Sequence, residues 1–265
     1  MLHGGQLLAG RYVLLRKLGT GPATQVWQAR DRAAGGDRVL KVLTSGEPAA
    51  RDRFLAAARL QQQLAHPNLQ ACEAVSEDEP PFAVFPRVAS GDLAALRGRA
   101  WPQLLPVLAG TADGLAALHA RGLVHRDVKP ANVLLADDGV PLLADFGLAA
   151  PVGDAGAPRG GSPFSMSPQQ LDGAPPAPAD DVYAFGALAY ELLAGYPPFY
   201  PDARPDRVRA EAPAPLPARA GVPPDLERLV LSCLAKDPQQ RPPGAAELAA
   251  ALRVLAAEQS AAPAG

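Results

Sequence analysis

Residues 125–132 read His125-Arg126-Asp127-Val128-Lys129-Pro130-Ala131-Asn132, and thirteen residues past the asparagine stands Asp145-Phe146-Gly147. Either piece alone is ordinary: a charged loop, or a three-residue turn that chance produces often. Together, in this order and at this spacing, they are hard to attribute to chance. Each adjoins a short apolar run with strand character, NVLL at 132–135 and PLLADF at 141–146.

Working outward, the chain changes character once. RYVLLRKL (11–18), TQVWQARD (24–31) and DRVLKVLT (37–44) are separated by the Gly-containing turns GTGPA and AAGGD. This pattern predicts a three-stranded antiparallel meander. A helix is expected over 50–65, then strands around 71–76 and in FAVFPRV (82–88). From about residue 92 the apolar period changes. WPQLLPVLAGTADGLAALHARG (101–122) has apolar residues at three- and four-residue steps and ends at Gly122, as a helix does. An aperiodic Gly/Pro-rich loop covers 150–163. Helices are predicted near 180–194, 224–236 and 243–257, with a Pro-rich loop and one short helix at most in 201–223. The result is a small β-rich half and a larger helical half, meeting near residue 89, and a tail or linker at 258–265.

Composition narrows the function. The 265 residues are 48% apolar, enough for a sizeable core. Net charge is −2 and no basic block stands out, which argues against nucleic acid as a partner. Cys72 and Cys233 lack metal-ligand spacing and are expected as buried, reduced thiols. No apolar run reaches the roughly 18 residues of a membrane span, and the N-terminus is too weakly apolar for a signal peptide. These features point to a cytoplasmic protein. The Ala-rich, Pro-rich, Arg-over-Lys usage is similar to that of high-GC bacteria.

The two motifs resemble the catalytic core of the eukaryotic-type (Hanks-type) protein kinases, in the form of bacterial Ser/Thr kinase domains, from about residue 11 to 257. The resemblance implies an α+β, bilobal protein-kinase-like fold as one domain over 1–265: a β-rich N-lobe with one main helix (11–88) and a helical C-lobe (89–257). It implies ATP and Mg²⁺ as cofactors and a protein as substrate. Phosphoryl transfer asks mainly for an in-line nucleophile, metal ions and positive charge at the phosphates. On the family's pattern Asp127 orients the substrate hydroxyl and accepts its proton. Lys129 reaches the γ-phosphate and marks Ser/Thr kinases. Asn132 and Asp145 offer oxygen atoms to Mg²⁺, a hard cation. His125 falls at a packed structural position. Upstream, Gly19, Thr20 and Gly21 match the phosphate-covering loop, with Thr24 in place of its third glycine, which stiffens it. Lys41 matches the strand lysine at the α- and β-phosphates. Val26 and Leu134 would sandwich the adenine, and Val39 replaces the usual Ala. Phe85 is the gatekeeper, and in the hinge 86–90 Val88 keeps both backbone N–H and C=O.

Departures from the pattern bear on activity. The substrate-floor segment runs from Ser162 to Gln169, where the family has Glu paired with an arginine, here Arg241. Asp181 matches the acid that holds the catalytic loop. Between Gly147 and Ser162 the loop LAAPVGDAGAPRGG has no Ser, Thr or Tyr to meet Arg126 once phosphorylated, and Asp154 is the candidate for a permanent partner. Most telling is FLAAARLQQQLAHPN (54–68). The helix Glu that aims the strand lysine falls at Ala57, an apolar spine position falls at Gln61, and 54–64 hold no acid at all. A loss of aiming worth about 1.5–4 kcal/mol slows transfer roughly 10- to 10³-fold. The expectation is a Ser/Thr protein kinase that is slow or depends on a regulatory protein partner. The alternative is a nucleotide-binding pseudokinase that acts as scaffold or allosteric partner. A small-molecule phosphotransferase shares the fold core but gives no reason for Lys129 or the floor segment.

Overall fold

The computed structural model describes residues 2–261. They form two compact units: residues up to 65 together with 70–89, and residues 66–69 together with 90 onward.

The first unit is a six-stranded antiparallel sheet and one helix. Its strands are β1 (Leu7–Leu8), β2 (Tyr12–Thr20), β3 (Thr24–Asp31), β4 (Asp37–Leu43), β5 (Ala74–Ser76) and β6 (Phe82–Pro86), in the order β1-β2-β3-β4-β6-β5. The predicted meander is β2–β4; β1 was too short to carry a pattern. Successive side chains on a strand face opposite ways. Leu14, Trp27, Leu40, Val42, Phe82 and Val84 therefore build a core on one face. Val39, Ala83 and Phe85 face the other, where Phe54 and Ala58 of α1 (Pro48–Gln63) pack on them. Pro48 opens α1 at a position where its missing N–H costs nothing. Leu64 is already extended, ahead of His66-Pro67. Gln61 is 4% exposed, and its Nε2 donates to Gln70 O at 3.0 Å. The polar residue at the spine position is thus buried and satisfied within the unit.

The second unit contains α2 (Trp101–His119), β7 (Leu123–Val124), β8 (Val133–Leu135), β9 (Pro141–Leu143), β10 (Ala150–Pro151), α3 (Pro168–Leu171), α4 (Pro178–Ala194), α5 (Pro205–Ala210), α6 (Pro224–Cys233) and α7 (Ala245–Ala261). β8 pairs with β9 and β7 with β10, both antiparallel. These two ribbons hold the ends of the loops that carry 125–132 and 145–147. α4 is the central helix, buried along nearly its whole length. At Gly186 an added Cβ would lie 2.5 Å from the Cβ of Cys233, so only glycine lets α6 approach this closely. α6 ends at Cys233, three residues before the predicted end. α7 continues to Ala261, so the tail expected from 258 begins as helix: Glu258, Gln259 and Ala261 are sound helix formers. The remaining residues of that expected tail, 262–265, lie outside the described residues.

Candidate active site

Asp127 stands in the loop after β7, just before a 3₁₀ turn at Pro130–Asn132. Its Oδ1 accepts from Ser162 Oγ at 2.8 Å. Its Oδ2 accepts from Lys129 Nζ at 2.7 Å and from Asn132 Nδ2 at 2.8 Å. Lys129 Nζ also donates to Ser162 Oγ at 2.7 Å, closing a triangle of acid, ammonium and hydroxyl. A general base needs its partner within hydrogen-bond reach. Here a hydroxyl already sits at that distance, beside a cation. Asn132 Nδ2 donates to the Asp127 backbone O as well, at 2.8 Å, so the amide oxygen is the part available to a cation.

The loop is pinned from below by Asp181. Its Oδ1 accepts from Arg126 N at 2.8 Å, and its Oδ2 from His125 N at 2.7 Å, with His119 Nε2 at 2.9 Å from Oδ2. Burial works against its charge, but the hydrogen bonds from His119 and the Arg126 N–H outweigh burial and hold the carboxyl below its ordinary value. Arg126 has φ +71°, a left-handed conformation that a non-glycine residue keeps only when its surroundings impose it. The double grip of Asp181 on neighbouring N–H groups does so. Its guanidinium is buried, and Nη1 donates to Leu148 O at 3.4 Å. Asp154, the candidate fixed partner, is not joined to Arg126 by any described ion pair or hydrogen bond; its Oδ1 accepts from Gly156 N at 2.9 Å instead.

His125 Nε2 lies 3.0 Å from Ala144 O, while Nδ1 accepts from Asp127 N at 3.3 Å. The network assigns the proton to Nε2 and leaves neither nitrogen for proton transfer. The ring packs edge-on against Phe146 at 5.2 Å, the structural role expected of it. Asp145, at φ +61°, is exposed and accepts from Gly147 N at 3.3 Å. Among the described residues no three His, Cys, Asp or Glu side chains cluster into a metal cage. One amide oxygen and one carboxylate instead suit Mg²⁺, which takes its remaining oxygens from phosphates and water.

The segment from 160 to 170 lies against this loop. Gln170 Nε2 donates to Arg126 O at 2.9 Å and to Gly160 O at 2.8 Å. Ser167 is fully buried; its Oγ donates to Asp180 Oδ1 at 2.6 Å and caps α3 by accepting from Gln170 N. Gln169 Oε1 accepts from Arg241 Nη2 at 2.6 Å, and Gln169 Nε2 donates to Lys236 O at 2.9 Å.

On the first unit, directly paired strand residues share a face. Val26, Lys41 and Ala83 form one row across β3, β4 and β6; Gln28, Val39 and Phe85 form the next. Gly19 and Thr20 end β2 opposite Val26 and Gln25, and Gly21 N donates to Thr24 O at 2.8 Å to close the turn. A Cβ on Gly21 would meet Thr24 Oγ1 at 3.1 Å, so this glycine makes room for the threonine that replaces the third one. Val88 follows β6 in the loop, and Ala57 is half-buried on α1 beside Ala58. On the second unit Leu134 pairs with Leu142 across β8 and β9. The first unit thus gathers Val26, Val39, Lys41 and Phe85 on one sheet face. The second gathers Asp127, Lys129 and Asn132 in one hydrogen-bonded cluster. Sequence reasoning missed His119 and Gln170, whose partners lie 62 and 44 residues away and leave no local pattern.

Residues 12–252 match the family described as the protein kinase domain. The chain is 36% identical over 270 residues to the serine/threonine-protein kinase PknL of Mycobacterium tuberculosis, covering 95% of this chain and 67% of PknL. It is 35% identical over 273 residues to PkaB of Streptomyces coelicolor, a serine/threonine-protein kinase, covering 94% and 64%. It is 34% identical over 267 residues to the DNA damage-responsive serine/threonine-protein kinase RqkA of Deinococcus radiodurans, covering 94% and 40%.

Proposed function

The chain belongs to the protein kinase domain family, and from that premise we propose that it moves the γ-phosphate of ATP to Ser or Thr hydroxyls of a protein substrate, slowly or with help from a regulatory protein partner. The observation that carries this reading is the Asp127–Lys129–Asn132–Ser162 cluster. An incoming hydroxyl that takes the place of Ser162 Oγ meets a carboxylate already oriented by Lys129 and Asn132. Asp127 then holds that hydroxyl and accepts its proton, and the Lys129 ammonium balances charge on the transferred group. Mg²⁺, held by Asn132 and Asp145, would neutralise charge on the phosphates. On the first unit, Gly19, Thr20 and Gly21 would cover phosphates, Lys41 would contact the α- and β-phosphates, and Val26, Val39, Phe85 and Val88 would line the adenine. On the second, Leu134 would do the same. Rate is limited because α1 offers Ala57 where a carboxylate would aim Lys41. Both cysteines are buried and unpaired, which supports a reducing, cytoplasmic setting. No described helix is long and apolar enough to cross a membrane.

Transfer of labelled γ-phosphate to the protein itself or to a general protein acceptor tests this, with Asp127→Asn and Asp145→Asn as controls. Transfer that both substitutions abolish is expected; transfer that survives both overturns the assignment. Ala57 and the buried Gln61 favour a second reading, a nucleotide-binding pseudokinase. No transfer, together with a melting shift that needs Mg·ATP, would select it.

A further inference from the structure

Every described side-chain hydrogen bond that α1 makes to another part of the chain ends on residues 70–79. Arg51 Nη2 donates to Glu77 O at 2.7 Å, and its Nε to Glu79 Oε1 at 3.4 Å. Arg59 Nη2 donates to Glu77 Oε1. Gln61 Nε2 donates to Gln70 O at 3.0 Å, and Gln62 Nε2 to Glu73 O at 3.5 Å. The two stretches run antiparallel: the start of α1 meets 77–79 and its end meets 70–73. Arg51, Arg59 and Gln62 recur at helical spacing and so share a face.

The stretch they grip is tied to Lys41. Residues 74–76 are β5, whose Val75 pairs with Ala83 of β6, and Ala83 pairs in turn with Lys41 of β4. Pro80 and Pro81 follow Glu79, and their fixed φ stiffens the turn into β6. A shift of α1 against 70–79 is therefore a shift against Lys41, since backbone ladders join the three strands. The ion pairs themselves are exposed: the Arg59 and Glu77 side chains keep 52% and 55% of their surface in solvent. Such pairs add little to unfolding stability, because water and salt screen them. Their leverage is on geometry. They hold α1 at two points about two helical turns apart, on a helix whose positions 54–63 carry no acid to do so. The Arg59 hydrogen bond also keeps the Glu77 carboxyl below its ordinary value, so the pair stays charged at neutral pH.

Resting on the kinase reading above, we propose that Arg51 and Arg59, gripping Glu77 and Glu79, are positioning residues for phosphoryl transfer: they set α1 against the sheet from its solvent side, in place of the carboxylate that α1 lacks.

Charge reversal and charge exchange separate positioning from stability alone. The whole chain is assayed for transfer of labelled γ-phosphate to a general protein acceptor, well below its melting temperature, and for hydrogen exchange over 51–63. Arg59→Glu and Glu77→Arg should each lower kcat about fivefold, leave KM for the acceptor within about twofold, and speed exchange in α1. Arg59→Glu combined with Glu77→Arg should bring both readouts back to within about twofold of the parent. Rising salt should slow the parent chain and slow Arg59→Glu less. Single substitutions that lower only the melting temperature overturn the proposal. So does a combined variant as slow as the singles, or α1 exchange that no substitution alters. A parent chain that transfers no phosphate, with α1 exchange that still follows the pair, leaves the setting of α1 by these arginines standing and counts against the kinase activity alone.

Discussion

At residue 57 the side chain is a methyl group, half-buried on α1 and next to Ala58, which packs on the sheet face that carries Lys41. Whatever Lys41 contacts, it is not a carboxylate from positions 54–63, because none exists there. Ala57→Glu adds one within the same unit. If aiming limits the rate, phosphoryl transfer should rise about 10-fold or more, with little change in melting temperature. An unchanged rate would mean that another group already aims the lysine. The residues of the cluster were readable because their chemistry is local: Asp127, Lys129 and Asn132 fall within six consecutive positions. His119 was not. A histidine in the last turn of a helix is expected for its interaction with the helix dipole, and nothing nearby signals Asp181.

At the scale of elements, the floor segment is joined through Gln169 to the stretch between α6 and α7. Its amide does two things that one carboxylate cannot do together, accepting from Arg241 and donating to Lys236 O. Arg241 is 4% exposed and donates also to Ala179 O and Ala235 O, with its guanidinium 5.0 Å from the Tyr183 ring. Gln169→Ala should cost about 1 kcal/mol in denaturant unfolding, since Arg241 Nη2 loses its 2.6 Å acceptor and keeps only Lys236 O at 3.1 Å. Gln169→Glu should lie within about 1 kcal/mol of the parent, as the gained charge contact is offset by the lost donor. Lys236 gives a pH signature. Burial, then the Arg241 charge, lowers it to about 8 from 10.5. The folded chain therefore binds fewer protons than the unfolded chain between those values, and the penalty of charging this amine fades as pH rises through them. The melting temperature should gain on that of Lys236→Met between pH 8 and 10; a constant difference would show that the amine is not perturbed. Long periodic elements such as α2 and α4 were visible in the sequence, whereas the ends of α6 and α7 were not. Helix ends depend on caps and packing rather than on period.

At the scale of the whole chain the open question is control. The usual device needs a hydroxyl in the loop and an arginine to receive its phosphate. Arg126 is present, but 148–161 hold no hydroxyl. The hydroxyls that follow are committed: Ser162 to Asp127, Ser165 to Ser162 O while 6% exposed, and Ser167 to Asp180 while fully buried. A phosphate on any of them would break the floor rather than order it, because it brings about two negative charges against Asp127 or Asp180. On the proposed reading, control is placed at α1, where positions 54–63 hold no carboxylate. Protein treated with phosphatase should transfer phosphate within about twofold of untreated protein, and mapped phosphates within 145–169 should not be required for activity. A phosphate in that span whose removal silences the enzyme would return control to the loop. On Ser165 or Ser167 it would also require that residue to leave the core, which hydrogen exchange across α3 would register as lost protection.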